Sequence, residues 1–315
     1  MPELPEVQTI VNDLKRKIVG RRLAAFWSDT PRIFPKNQIA NLKSQIRGYR
    51  INKIDRRGKN ILIYLSNGPR IKSNGSRINK TTFEKNSRNY IRGKLEKLLV
   101  IHPKLTGRLE LVKWKKRHVK WHENKYYRAV FYLNGGWALA FRDVRKFGKI
   151  IFGSRKQIES LPDLADLGPD PLEPRFTAKK FAELINAEKR KIKLVLLDQK
   201  IIAGIGNIYS DEALWYAKIH PFTPSNQLTN NQLTNLYRAI REVLKKSLRV
   251  RGSSMRDYRD TSGHAGGYIK IRRVYDREEL PCFRCGTKIK RIKINVRSAH
   301  FCPKCQLLNY LPIGS

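Results

Sequence analysis

No run of apolar residues in these 315 positions approaches the ~20 needed to cross a bilayer as a helix, so the sequence offers no transmembrane segment. No secretory signal is visible either. Met1-Pro2-Glu3-Leu4-Pro5-Glu6 is acidic and interrupted by proline, where a signal peptide would be basic and then apolar. Cysteine is scarce, at four, and all four lie in two Cys-x-x-Cys pairs near the C-terminus. That usage argues against a disulfide framework and for metal binding in a reducing compartment. These absences predict an intracellular, cytoplasmic protein. No internal repeat is present. Acidic residues are also few: 26 Asp and Glu stand against 66 Lys and Arg, leaving a net charge of +40 and a pI near 10.4.

A surplus of that size destabilises a compact chain by self-repulsion unless a polyanion uses it. Nucleic acid is the partner it points to, because neutralising phosphates releases counterions. A ribosomal protein, or a cytoplasm tuned to basic proteins, would show the same balance. An anionic membrane is a poorer match, since no long basic amphipathic helix stands out. An apolar share of 40% and an aromatic share of 10% indicate a folding chain, long enough for two domains and a small module.

Val7, Ile10, Val11, Leu14 and Ile18 recur at helical spacing, and Gly20 ends the pattern. Short alternating or β-branched segments follow at Leu23–Trp27, Ile51–Ile54, Ile61–Leu65, Leu98–His102, Leu109–Val112, Arg128–Leu133, Trp137–Arg142 and Lys149–Phe152. Turn signals such as Ser66-Asn67-Gly68 and Asn134-Gly135-Gly136 separate them, which predicts an antiparallel sandwich or barrel over residues 1–153. Within it, residues 69–97 carry nine Lys and Arg against Glu84 and Glu96 and read as an inserted basic loop. Residues 154–174, rich in Pro, Asp and Leu, read as a linker. Helical spacing then dominates at Ala178–Asn186, Ile192–Leu197, Ser210–Ala217 and Asn230–Arg251, giving a helical unit over 175–275 and a cysteine module over 276–315.

Cys282 and Cys285 are separated from Cys302 and Cys305 by sixteen residues, the spacing of two knuckles around one tetrahedral Zn²⁺. The segment Lys288 to Phe301 alternates like a hairpin and carries Lys288, Lys290, Arg291, Lys293 and Arg297, which favours nucleic acid over a purely protein-binding ribbon. At the other end, removal of Met1 would expose Pro2 as a secondary amine. An α-amino group has a pKa of about 8, so part of it is unprotonated at neutral pH. Such an amine attacking an anomeric carbon gives an iminium ion, and Glu3 and Glu6 stand near enough in sequence to move protons. Taken alone, Pro and Glu at a helix start are ordinary capping residues.

The rest of the chain changes that balance. The string Pro2-Glu3-Leu4-Pro5-Glu6-Val7, the turn Arg56-Arg57-Gly58-Lys59, the run Phe141 to Gly148, the run Ala203 to Tyr209, and Arg297 to Gln306 occur in one order along the chain. Together they resemble the formamidopyrimidine-DNA glycosylase family. The resemblance spans nearly the whole chain and implies an α+β multidomain fold. Its parts are an N-terminal antiparallel β-sandwich, a helix–two-turn–helix domain and a C-terminal zinc-ribbon β-hairpin, with duplex DNA between the larger units.

It further implies that Pro2 attacks C1′ of an oxidised purine nucleotide, and that β- and δ-elimination then remove the sugar. Glu3 would protonate the ring oxygen, and Glu6 would support ring opening or position water. Lys59, Asn207 and Arg297 would grip the backbone beside the lesion; a glycine-flanked helix N-terminus suits a phosphate at Asn207. Leu105, Arg145 and Phe147 would fill the space left by the extruded base, with Arg145 facing the orphaned cytosine. Leu105 replaces the family's methionine, and Pro103-Lys104 replaces its usual Leu-Gly, which leaves the intercalation geometry open. Arg256-Asp257-Tyr258 and Ser262 to Tyr268 resemble the loop over the flipped base, and Gly263, Gly266 and Gly267 suit a lid that orders on binding. The partner implied is DNA containing oxidised bases, met by a monomer, with one structural Zn²⁺ and no membrane. Two other readings stand beside this one: a sister glycosylase for oxidised pyrimidines, and a non-catalytic sensor of damaged DNA. Leu4-Pro5 and the Arg145/Phe147 pair favour the purine enzyme.

Overall fold

The computed structural model describes residues 1–36, 38–67, 97–114, 124–255 and 257–308, so the basic insertion, apart from Lys97, and Arg256 lie outside the described residues. Helix α1 (Leu4–Ile18) opens the chain and is followed by β1 (Leu23–Ser28), α2 (Gln38–Gln45), β2 (Arg50–Arg57), β3 (Asn60–Ser66) and β4 (Lys97–His102). Next come β5 (Arg108–Lys113), β6 (Tyr127–Leu133), β7 (Trp137–Arg142) and β8 (Lys149–Ser154). These strands form two antiparallel four-stranded sheets, ordered β1-β6-β7-β5 and β2-β3-β4-β8. The predicted strands are all present, each within two residues of its predicted bounds except β2, which runs three residues further, to Arg57.

The helical stripe of α1 explains how the two sheets are joined. Val7, Ile10, Val11, Leu14 and Ile18 are fully buried and share one core with Phe26, Ile54, Ile63, Ile101, Phe131 and Phe141 from both sheets. Each such side chain contributes about 1.5–3 kcal/mol of transfer free energy as an upper bound. Leu4, one turn earlier, packs instead into the helical core with Ile205, Tyr209 and Leu244, and its amide donates to the carbonyl of Gly204 at 3.0 Å. One helix therefore belongs to both units, and its N-terminus lies at their junction.

Strand β3 is buried along its whole length. Its second face is covered by the stretch read from sequence as a linker: α3 (Arg155–Glu159) and α4 (Pro162–Ala165) press Ile158 and Leu164 onto Leu62, Tyr64, Leu98, Val100 and Ile151. That stretch is a packed cover, because a doubly apolar strand needs one. Helices α5 (Ala178–Asn186), α6 (Ile192–Leu197), α7 (Asn207–Ala217) and α8 (Asn230–Arg249) make the second core. Helix α8 begins at a capping box in which Thr229 and Gln232 exchange side chain to backbone hydrogen bonds of 2.9 and 3.3 Å. Helix α7 starts three residues earlier than its apolar pattern suggested, and α8 ends two residues sooner.

The chain closes on β9 (Lys290–Ile294) and β10 (Arg297–Phe301), an antiparallel hairpin whose turn places Asn295 at φ 51°. Helix α7 carries this module. The buried Glu212 carboxylate accepts the amides of Arg273, Val274 and Tyr275 at 2.8–3.0 Å, Trp215 donates to the Cys282 sulfur at 3.4 Å, and Arg284 stacks on the Trp215 ring at 3.8 Å.

Candidate active site and nucleic-acid interface

The N-terminus of α1 and that of α7 meet at one point. Pro2 is buried there, and the Glu3 carboxylate, 2% exposed, accepts the amides of Gly206 at 2.7 Å and Ile208 at 2.9 Å. These amides would otherwise be orphaned at the start of α7, where the helix dipole also favours an anion. Gly206 is obligatory, since a Cβ there would lie 2.4 Å from the Glu3 carboxyl carbon. The Glu6 carboxylate accepts the Glu3 amide at 2.7 Å, the Ser253 amide at 2.7 Å and a short bond from the Tyr209 hydroxyl. Burial, and then the neighbouring Glu3 charge, push the Glu6 carboxyl up to about 7 despite these donors. It can therefore give or take a proton near neutrality.

Lys59 enters from the β2–β3 turn, where Gly58 takes φ +57°. Its ammonium is buried and donates to the Ile205 carbonyl at 2.9 Å. Burial lowers its pKa to about 8; Glu3 opposes the shift, while the Arg297 charge adds to it. Lys59, Arg297 and the Glu3–Glu6 pair thus sense one another electrostatically. Asn207, on the first turn of α7, is half-buried, and its Oδ1 has no hydrogen-bond partner. Arg297 is exposed at the start of β10. Its hairpin is fixed to α7 through Asp211, which accepts the His300 amide at 3.0 Å and meets the buried Lys193 ammonium at 2.6 Å. Lys193 also donates to the Asn207 carbonyl at 3.1 Å, so the turn at Asn207 and the Arg297 hairpin share one buried network.

The sequence-predicted residues of the start, the β2–β3 turn, α7 and the hairpin are therefore brought together. Leu105, Arg145 and Phe147 form a second group on two neighbouring loops. Phe147 is 43% exposed with the Arg145 guanidinium 4.8 Å from its ring centre, which rules out core packing as its role. Leu105 is half-buried. The buried Asp143 carboxylate joins the loops by accepting the Thr106 hydroxyl at 2.5 Å, the Gly148 amide at 2.7 Å and the Arg145 amide at 3.2 Å. Beside them His102 is held neutral: burial, with Lys104 and Lys59 nearby, lowers its pKa to about 3.

Tyr268 corrects the sequence reading. It was expected to face DNA, but its side chain is 2% exposed, packs on the Tyr209 ring and donates to Glu212 at 3.1 Å. The resemblance places Tyr268 in the loop over the flipped base, whereas Gly267 pairs with Ser253 and the Tyr268 ring lies in the helical core. The glycine-rich lid is also structured: Leu111 donates to the Thr261 carbonyl at 3.1 Å and Lys17 to Ser262 at 2.8 Å. Asp143, Tyr209 and His300 lie within the quoted motifs, but without assigned roles, and Asp211 lies two residues beyond one of them. Lys193 and Glu212 carried no local signal.

The four cysteine sulfurs lie within 4.8 Å of one another, with pairs at 3.4–4.0 Å. Four ligands at the Zn–S length of 2.3 Å put sulfurs about 3.8 Å apart, so the cage fits one tetrahedral Zn²⁺.

Family models match in three places: "Formamidopyrimidine-DNA glycosylase N-terminal domain" over residues 1–150, "Formamidopyrimidine-DNA glycosylase H2TH domain" over 167–259, and "Zinc finger found in FPG and IleRS" over 279–307. The formamidopyrimidine-DNA glycosylase of Chloroflexus aurantiacus is 36% identical over 313 residues, covering 99% of this chain and 100% of its own. That of Desulforamulus reducens is 35% identical over 312 residues, covering 97% and 99%. Among solved structures, Lactococcus lactis Fpg bound to DNA with an abasic site superposes with a TM-score of 0.80 at 30% identity, covering 97% and 99% of the two chains. The Thermus thermophilus MutM (Fpg) protein gives 0.77 at 34% identity, covering 97% and 98%.

Proposed function

The chain belongs to the formamidopyrimidine-DNA glycosylase family, and we propose that it removes oxidised purines from duplex DNA and then cuts the strand, with Pro2 as nucleophile. The observation that carries this reading is the Glu3 carboxylate, buried beside Pro2 and fixed by two amides of the opposite unit. A carboxyl so fixed cannot swing to solvent, and its neighbour in the chain is the one group that becomes a secondary amine when Met1 is cleaved.

In this reading the Pro2 nitrogen bonds to C1′ and the damaged base leaves. Glu3 delivers a proton to the ring oxygen as the ring opens to an iminium. Loss of the C2′ proton then expels the 3′ phosphate, and a second elimination expels the 5′ phosphate. Glu6, poised near neutral pH, exchanges protons with this centre, and Lys59, Asn207 and Arg297 bind the phosphates that flank the sugar. Arg145, Phe147 and Leu105 occupy the vacated stack. Zinc in the cysteine cage stabilises the hairpin that carries Arg297, and it takes no part in the chemistry.

The test is excision from a duplex carrying 8-oxoguanine opposite cytosine, with thymine glycol as the comparison substrate. Faster release of the purine and a nicked product are expected. Preference for thymine glycol would assign the pyrimidine class, and binding without base release would leave only a damage sensor.

A further inference from the structure

Helix α8 ends in a Schellman turn: Gly252 donates to the Ser247 carbonyl at 2.9 Å and Arg251 to that of Leu248 at 3.1 Å. Such a turn needs a left-handed residue, and glycine takes that place at no steric cost. This chain has Arg251 there, at φ 64°. A non-glycine residue in that region costs about 1 kcal/mol or more, a cost that is offset where the side chain is in use.

Its guanidinium is. It lies 2.5 Å from Asp13 and 2.7 Å from Asp260, two carboxylates that are 3% and 2% exposed. Asp13 sits on the helix that begins at Glu3 and Glu6, and it also accepts the Thr261 hydroxyl at 3.2 Å. Asp260 shapes the following turn by accepting the amides of Ser262 at 2.9 Å and His264 at 3.0 Å. Two residues after Arg251, the Ser253 amide donates to Glu6. One guanidinium thus ties α1, the end of α8 and the loop over the site into a single unit.

We infer that Arg251, bridging Asp13 and Asp260, is a positioning residue that fixes the 257–267 loop against α1 for the base-removal step. The inference rests on the proposed glycosylase reading. A strand that has already lost its base makes no demand on the loop, so strand cutting at a preformed abasic site should not need the clamp.

Arg251→Gly is the informative variant, because glycine relieves the backbone strain while deleting the guanidinium, and the protein should fold. Single-turnover excision of 8-oxoguanine should slow by about tenfold or more, a usual cost of misplacing a catalytic group. Cleavage of a preformed abasic duplex should stay within about twofold of the parent, and Arg251→Lys should recover part of the excision rate. Asp13→Asn should show the same split. Parental excision by Arg251→Gly, or an equal fall in both steps, would overturn the inference. Amide exchange in the free protein provides a second readout, independent of activity. The Ser262 and His264 amides should exchange faster in Arg251→Gly, and unchanged protection would refute the clamp. If the parent released no base at all, the glycosylase reading would fail, while the exchange data would still decide whether the clamp exists.

Discussion

Glu6→Gln offers a quantitative test of the buried acid pair. Burial and the Glu3 charge raise the folded-state pKa of Glu6 from 4.5 to about 7. Ionising this carboxyl therefore costs the fold about 3 kcal/mol. In the unfolded chain Glu6 ionises near 4.5, so the cost is absent below that pH, grows through 7 and is constant above it. The parent should lose about 2.5 kcal/mol relative to the Gln variant between about pH 5 and pH 8. His102 and Lys59 also titrate out of their usual ranges; His102 is common to both proteins, and Lys59, which feels the Glu6 charge, titrates near 8, so the change between pH 5 and 7 is the part that reads Glu6. Denaturant unfolding of both proteins across that range, at fixed ionic strength, reads the effect directly. A difference that does not change with pH would mean an ordinary carboxylate at position 6, and the proton-handling role assigned to it would be wrong.

Three further outcomes are expected. Cys302→Ser should lose zinc, read by metal analysis, and weaken binding to a lesion duplex at least tenfold through the hairpin carrying Arg297; undiminished affinity would uncouple the two. Asp143→Asn leaves the shape intact but weakens bonds to Thr106, Arg145 and Gly148, at a cost of roughly 1.5–3 kcal/mol. Dependence of excision on the base opposite the lesion should relax with it, as kinetics against each opposite base would show. Affinity for any duplex should fall steeply with salt, as expected for multiple phosphate contacts; a flat salt response would remove the electrostatic account of the +40 charge.

The sandwich was legible because its strands alternate and its turns are marked, and the zinc site because cysteine spacing is itself geometry. Pro2, Glu3 and Lys59 were legible through the family motifs rather than through local pattern. Helix α2 escaped notice because its apolar face is carried by little more than Ile39 and Leu42. The linker was misread because the need for a cover is set by β3, which lies a hundred residues away in sequence. Lys193, Asp211 and Glu212 are fully or almost fully buried in the helical unit, yet charged residues in a helix pattern read as solvent-facing. Their partners are backbone amides and side chains brought up by tertiary folding, as are the carboxylates that hold Arg251. Tyr268 follows the same logic: glycines mark its loop, but its ring is held inward by Tyr209 and the buried Glu212, which tertiary folding brings up.

The attacking group itself can be read by borohydride trapping. Protein incubated with an 8-oxoguanine duplex and reductant should yield a covalent adduct, and peptide mass spectrometry should place it on the nitrogen of Pro2 in a chain lacking Met1. An adduct on a lysine, or full activity from chains that retain Met1, would contradict the account at its centre.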